Sequence, residues 1–426
     1  MTSNNDFVSV YWNTVLCGEI RKINATTISF RYDATWIEKR LPAISFSLPV
    51  QSDWCAEDRS TNFFDNLLPE EDVRKSIARH EGFHQHDIFS FLKNKGQECA
   101  GALCIIPQNK SLSDYSNKGL EDITDKIASI LTTRKKIIQE IKPLGIEIPT
   151  RISLAGAQDK LPVRIENGRM YVPHDLSPTT HIIKPDNNNF QGIVYNEFLC
   201  MRLASLSGLT VPQHNIIFVE DDIPLYVVER FDRKKQADGS ITRIHQEDFC
   251  QALGINKDYK YQKAGWGFSY EDMVSLLFEN NISNKEDAQI QFLESMVFNA
   301  LVGNTDAHAK NFSILHKGNQ ATIAPLYDIV SSDIYSDIDS SLSIAIGTSY
   351  CRETLYRADW ELFAKDLRLQ KKVVFTKIEQ VLQRIQHAQK EILQYIPENQ
   401  QAHVVWDALN LVMQRNKELL EKSLCR

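Results

Sequence analysis

Phe298-Asn-Ala-Leu-Val-Gly-Asn-Thr-Asp306-Ala-His308-Ala-Lys310-Asn311-Phe-Ser-Ile-Leu315 is the stretch on which the fold turns. It opens as an apolar helix, breaks at Gly303-Asn304, gathers charged and polar groups, and re-enters an apolar run of strand character. A loop held between two buried elements is where a rigid scaffold usually presents working side chains. Around it, residues 270–303 and 357–426 repeat apolar side chains at i, i+3 and i+4, as in Val374, Ile378, Val381, Leu382 and Ile385, so the second half reads as mainly helical. Upstream, 161–165 and 170–172 flank Asn167-Gly168 as a hairpin. A short strand follows at 181–184, then a helix over 194–206 and strands over 215–219 and 225–231. Residues 7–50 alternate in short runs, predicting a small sheet with turns at Cys17-Gly18 and Asn24. The run 62–95 turns helical, 99–107 is an apolar stretch of strand length, and the Ser-rich 109–117 reads as an exposed linker. The fold class is therefore α+β. The expected parts are 1–110, a β-rich subdomain with helices; 111–235, an α+β part; and 236–426, a mainly helical lobe.

The chain has 426 residues, 42% hydrophobic and 24% charged, which is ordinary globular usage. Forty-eight basic against fifty-five acidic residues leave a net charge of −7, which argues against a broad nucleic-acid-binding surface. Met1-Thr-Ser-Asn-Asn-Asp-Phe7 has neither a basic start nor an apolar run, and no window reaches membrane-spanning length, so a cytoplasmic protein without membrane contact is expected. The eight cysteines are sparse and mostly in apolar contexts, as reduced core thiols would be. Cys99 with Cys104 and His84 with His86 find no second close pair to complete a zinc set.

Asp306 and Asn311 stand five apart, the separation between the base aspartate and the metal-binding asparagine of a protein-kinase catalytic loop. The residue types suit that chemistry: a carboxylate orients a substrate hydroxyl, and a neutral amide oxygen helps hold a hard Mg²⁺ ion. Asp328, seventeen residues after Asn311, closes an apolar run beyond a hairpin and can supply the second metal ligand. Lys184 ends a short strand whose alternation turns it toward the cleft, where it can neutralise ATP phosphates, with Glu197 on the next helix as candidate partner. The small residues Ala155, Gly156 and Ala157, leading through Gln158 and Asp159 to Lys160, suit a loop whose backbone approaches phosphate oxygens, although Walker spacing is absent. Glu229, Arg230 and Phe231 end an apolar strand where a hinge could read an adenine edge. Taken singly, each residue has an ordinary structural reading: Asp306 as a turn carboxylate, Lys184 as a snorkelling strand end, His308 as a hydrogen-bonded core histidine. Their joint order, small-residue loop, lysine, hinge, Asp-x4-Asn and aspartate, follows the kinase parts in sequence and predicts a bilobal kinase-like fold.

At these residues the chain resembles the HipA family of serine/threonine kinase toxins from bacterial toxin–antitoxin systems. The matching segments are Phe63-Phe-Asp-Asn-Leu-Leu-Pro-Glu70, Ser153-Leu-Ala-Gly-Ala-Gln-Asp-Lys160, His181-Ile-Ile-Lys184, Asn196-Glu-Phe-Leu-Cys-Met201, Glu229-Arg-Phe-Asp-Arg233, Gln246-Glu-Asp-Phe-Cys-Gln251, Asn304-Thr-Asp-Ala-His-Ala-Lys-Asn311 and Tyr327-Asp328. The resemblance implies Asp306 as proton acceptor, Asn311 and Asp328 as Mg²⁺ ligands, Lys184 as the ATP-phosphate lysine and residues 155–160 as the phosphate loop. Glu229 to Phe231 would hold adenine, His308, Lys310 and Tyr327 would line the nucleotide site, and Ser153 would be autophosphorylated. It further implies a small helix-turn-helix antitoxin as partner, DNA contact only through that antitoxin, and a protein substrate of the kind represented by aminoacyl-tRNA synthetases. Phosphate on Ser153 would repel the β- and γ-phosphates of ATP and move the loop outward toward arginines such as Arg151 or Arg233, switching the toxin off. Asn304-Thr precedes Asp306 where eukaryotic kinases carry His-Arg, and Tyr-Asp-Ile stands for Asp-Phe-Gly. Two rival readings are a catalytically silent scaffold that binds a DNA-binding antitoxin, and a metal-dependent nuclease using Asp306 and Asp328. Intact Lys184, Asp306, Asn311 and Asp328 weigh against the first, and the acidic net charge weighs against the second.

Overall fold

The computed structural model describes residues 7–115, 119–131, 160–174, 176–186, 190–220, 222–262, 268, 270–280 and 282–425. The N-terminal alternation builds an antiparallel sheet from β1 (Phe7–Trp12), β2 (Val15–Lys22), β3 (Ile28–Tyr32) and β4 (Leu103–Pro107), in the order β3-β2-β1-β4. Helices α1 (Ala34–Glu38), α2 (Glu57–Asp65), α3 (Glu71–Glu81) and α4 (Ile88–Lys95) accompany it. Val8, Val10 and Phe30 of the sheet share one core with Phe63 and Phe64 of α2 and Phe91 of α4.

Two local expectations fail here for identifiable reasons. The first turn lies at Asn13, whose φ is 54°, while Cys17-Gly18 sits inside β2. Gly18 serves close packing there: a Cβ would lie 2.2 Å from the Arg31 carbonyl oxygen and 2.6 Å from the Phe30 ring. The apolar run 99–107 is strand only from Leu103 onward, because Cys99 to Ala102 is spent on a buried polar junction described below. The polar stretch 109–117 includes a 3₁₀ turn at Leu112–Tyr115, whose Tyr115 is buried with Ile106.

A second antiparallel sheet, β5-β7-β6-β8-β10-β9, comprises β5 (Leu120–Asp122), β6 (Leu161–Glu166), β7 (Arg169–Pro173), β8 (His181–Pro185), β9 (His214–Val219) and β10 (Ile223–Glu229). Asn167 and Gly168, at φ 50° and 77°, make the tight turn between β6 and β7, as an Asn-Gly pair should. Helix α5 (Ile193–Leu206) joins β8 to β9, and its Phe198, Leu199 and Leu203 enter the large core of the helical half.

That half contains the ribbon β11 (Arg233–Lys235) and β12 (Ile241–Arg243), then β13 (His245–Asp248), α6 (Phe249–Leu253), α7 (Tyr270–Glu279) and α8 (Lys285–Val302). The hairpin β14 (Ser313–Lys317) and β15 (Gln320–Ile323) pairs with β13, and α9 (Arg357–Asp366), α10 (Lys371–Glu391) and α11 (Gln400–Cys425) complete the chain. Helix α8 is buried on nearly every side, so it carries no polar stripe and acts as the central post that delivers the loop at 303–311. Among the described residues no helix is long and apolar enough to cross a membrane.

A buried polar junction ties together residues far apart in the chain. Glu98 accepts from Arg230 at 3.0 Å, Arg233 at 2.8 Å and Arg243 at 2.6 Å, and Arg230 and Arg233 also flank Asp232. Arg230 and Arg233 further donate to the carbonyl oxygens of Cys99 and Gly101, which explains why that apolar stretch is not paired as strand. Burial alone would raise the Glu98 carboxyl, but Arg243, Arg233 and Arg230 outweigh it and hold it well below the usual carboxylate range. Glu98→Ala would leave buried Arg243 without its carboxylate and Arg230 and Arg233 with Asp232 to share, so urea unfolding should show a loss of about 3–5 kcal/mol.

Candidate active site

Helix α8 ends at Gly303, at φ 71°, and a side chain there would strike Asp333 at 2.7 Å. Asn304 then turns the chain, its Nδ2 donating to Asn299 Oδ1 at 2.8 Å and its Oδ1 accepting from the Asp306 amide at 3.1 Å. The Thr305 amide donates to Ser332 Oγ, and Ser343 Oγ donates to the Thr305 carbonyl, so Asp306 projects from a loop braced on two sides. Asp306 Oδ1 accepts from the Tyr261 hydroxyl at 2.6 Å, while about half of its side chain, 54%, stays open to the cleft. Crowding by the cleft walls raises its carboxyl above the usual range, against the lowering by the Tyr261 bond.

Lys184 on β8 and Glu197 on α5 form the expected pair, 2.7 Å from Nζ to Oε1, and Lys184 also binds Asp328 Oδ1. The alternation of β8 accounts for this placement: Ile183 points into the core under the sheet, and Lys184 points into the cleft. Burial alone would lower Lys184, but Asp328 and Glu197 outweigh it and hold the ammonium well above its ordinary value. Burial pushes Glu197 up to about 7 although Lys184 draws it down, and its Oε2 has no hydrogen-bond partner. Asp328 goes the other way: Lys184 and Lys160 overcome burial and keep it ionised well below the usual range. Strand β15 stops at Ile323, because Pro325 cannot donate to a ladder, so Asp328 sits past an irregular stretch instead of at a strand end. Its φ of 59° is a left-handed conformation that Asp tolerates better than most residues.

Asn311 lies beside Asp328, its Nδ2 3.5 Å from the Asp328 carbonyl oxygen, and its buried Oδ1 has no partner. A buried, unpartnered amide oxygen on a residue that neighbours the ionised Asp328 is a donor that fits a hard cation such as Mg²⁺. Among the described residues no group of three His, Cys, Asp or Glu is placed to hold a metal alone, so phosphate oxygens and water would complete the shell. His308 is buried, and burial with the nearby Lys260 lowers its pKa to about 3, which keeps the ring neutral.

Asp306, Asn311, Asp328, Lys184, Lys160, Glu229, Phe231, His308 and Tyr327 all border one cleft of about 1020 Å³, large enough for a nucleotide. The Phe231 and Tyr327 rings stand 5.3 Å apart there. Lys310 and Arg230 border the same cleft, and their side chains are also engaged with other protein groups. Lys310 spends its three ammonium hydrogens on Asn66 O, Asn66 Oδ1 and Asp248 Oδ2, at 3.0, 2.9 and 2.9 Å. The Arg230 guanidinium enters the Glu98 junction, and Arg233, expected as a landing point for phosphorylated Ser153, is buried in the same junction. The Glu229 and Arg230 amides already donate to Gln213 and Thr180. Ser153, Ala155, Gly156, Ala157, Gln158 and Asp159 lie outside the described residues.

Two family models match the chain: the HipA N-terminal domain over residues 8–106 and the HipA-like C-terminal domain over 152–389. The chain belongs to the HipA family. Among curated relatives, the "Putative kinase Y4mE" of Sinorhizobium fredii is 35% identical over 372 residues, covering 84% of this chain and 85% of that protein. The "Serine/threonine-protein kinase toxin HipA" of Shewanella oneidensis is 27% identical over 406 residues, covering 92% and 90%. The fold matches that of the HipA chain in a Shewanella oneidensis complex of HipA, HipB and operator DNA, with a TM-score of 0.83 at 24% identity over 98% of this chain and 99% of that one. The α+β, bilobal kinase-like architecture is thus that of HipA. Within this HipA-family site, Tyr261 carries no sequence signal, since a lone tyrosine in a polar stretch matches no pattern. Asn66, Glu70 and Asp248 do lie in HipA-like segments, but nothing in those segments says what the side chains touch.

Proposed function

We propose that this chain is an ATP-dependent serine/threonine protein kinase and the toxin of a toxin–antitoxin pair, acting in the cytoplasm. The observation that carries the reading is the convergence of Lys184, Asp306, Asn311 and Asp328 on one cleft, with Lys184 held by Glu197. Mg²⁺ at Asn311 and Asp328 would neutralise charge on the ATP phosphates. Lys184 exchanges its Asp328 contact for phosphate oxygens, and Glu197 keeps its ammonium aimed. Phe231 and Tyr327 border the face on which the base lies. Asp306 accepts the proton of a serine or threonine hydroxyl as its oxygen bonds to the γ-phosphorus, and the bond from that phosphorus to the bridging oxygen breaks to release ADP. Catalysis on this scheme is positioning and charge neutralisation.

The protein target is proposed as an aminoacyl-tRNA synthetase and the partner as a small helix-turn-helix antitoxin through which the complex meets DNA. The solved relative's assembly with HipB and operator DNA supports that partner. Incubation of the purified chain with γ-labelled Mg·ATP and host lysate should label one protein and Ser153 of the chain itself. Absence of label on both would overturn the reading. Label on Ser153 with unaltered nucleotide binding would remove only the self-inhibition.

A further inference from the structure

The loop of Asp306 is gripped from the N-terminal unit. Helix α2 packs on α6, and Asn66, just past the end of α2, accepts two hydrogen bonds from Lys310, next to Asn311 in the loop. Glu70, four residues on, holds Lys260 at 2.7 Å. Lys260 in turn accepts the Ala309 amide on its own carbonyl at 3.0 Å, and its neighbour Tyr261 holds Asp306 at 2.6 Å. Two separate grips therefore run from one short segment of the N-terminal unit to the two ends of the 306–311 loop.

Ordinary docking of the two units does not require this arrangement. Arg59 already anchors α2 through Leu253 O at 2.5 Å, and Asn62 does so through Gly254 O at 2.9 Å, both away from the loop. The Lys310 ammonium is buried, and a buried cation left short of partners is costly, so the loop follows wherever its acceptors sit. Building on the kinase reading above, we propose that Asn66 and Glu70 are positioning residues for phosphate transfer, setting the loop of Asp306 through Lys310 and through the Lys260-Tyr261 pair.

The test compares Asn66→Ala, Asn66→Asp, Glu70→Gln, Tyr261→Phe and Arg59→Ala in the full chain. Two measurements are made: Mg·ATP turnover, as phosphate released to water or incorporated into the chain, and amide hydrogen exchange over residues 304–312. Misplacement of a reacting group by about 1 Å can cost on the order of 100-fold, so kcat should fall by roughly 10-fold to 100-fold in Asn66→Ala with the KM for ATP nearly unchanged. Exchange over 304–312 should quicken. Asn66→Asp keeps an oxygen for Lys310 while losing the amide bonds to Asn62 O and Ile255 O, and should recover most of the turnover. Arg59→Ala should lose stability and keep kcat. Equal losses in Arg59→Ala and Asn66→Ala, or no recovery in Asn66→Asp, would reduce Asn66 to a docking contact. If Asn66→Ala does not fold, Glu70→Gln and Tyr261→Phe decide, and wild-type kcat in both overturns the proposal. Should the wild-type chain show no turnover, the kinase reading fails on its own. The exchange arm still judges the grip, and unchanged protection over 304–312 in Asn66→Ala and Glu70→Gln sinks it.

Discussion

Asp306→Asn is expected to lower phosphate transfer by roughly 10²–10⁴-fold while ATP binds as in the wild type. The substitution preserves shape and leaves an oxygen for the Tyr261 hydroxyl, so the braces at Asn304, Thr305 and Ser343 stay in place. What is lost is the capacity to take a proton from the acceptor hydroxyl. Asp306 makes no contact with Lys184 or Asn311, so the groups assigned to phosphate and metal are untouched. The raised carboxyl also predicts the wild-type pH dependence. Asp306 must be ionised to act, so turnover should climb with pH along a limb displaced above the ordinary carboxylate range. Calorimetric titration of ATP alongside phosphate incorporation checks both points, and a proportionate loss of ATP affinity would place Asp306 in the nucleotide site.

Asp328→Asn should also abolish transfer, but by a different route. The carboxylate proposed to hold Mg²⁺ together with the Asn311 oxygen disappears, and Mg²⁺-dependent ATP binding should weaken more than about 100-fold, beyond the 10–100-fold typical of residues that only orient a ligand. Folding should survive. Asn adopts the left-handed conformation at φ 59° at least as readily as Asp, and Lys184 retains Glu197. With Asp328 neutral, Glu197 loses a neighbouring negative charge and becomes the sole counter-ion, so its raised pKa should drop. The thermal unfolding midpoint without ligand should fall, because buried Lys184 loses one of its two counter-ions, and the further stabilisation that Mg·ATP confers on the wild type should vanish. Retained Mg·ATP stabilisation would remove Asp328 from the metal site.

The local parts were legible because their causes are local. Alternation put Lys184 on the cleft side of β8, Asn167-Gly168 announced its turn, and Gly303-Asn304 marked where α8 must stop. The pairing of Lys184 with Glu197 could be read as well, since only thirteen residues separate them across one strand-to-helix connection. Hydrophobicity misled at 99–102, where backbone carbonyls accept from buried guanidinium groups instead of pairing as strand. Gly18 misled in the opposite sense, as a glycine required by sheet packing inside a strand rather than by a turn.

By itself, then, the sequence determined the order of elements, the α+β class and the residue types delivered to the 303–311 loop, all through periodicity and turn chemistry acting over a few residues. Tertiary structure alone decided which side chains are consumed as fastenings. Lys310 and Asn66 are 244 residues apart, and Arg230 and Glu98 are 132 apart. A buried cation goes to whichever acceptors the packing of distant elements leaves within reach, and no local pattern encodes that choice.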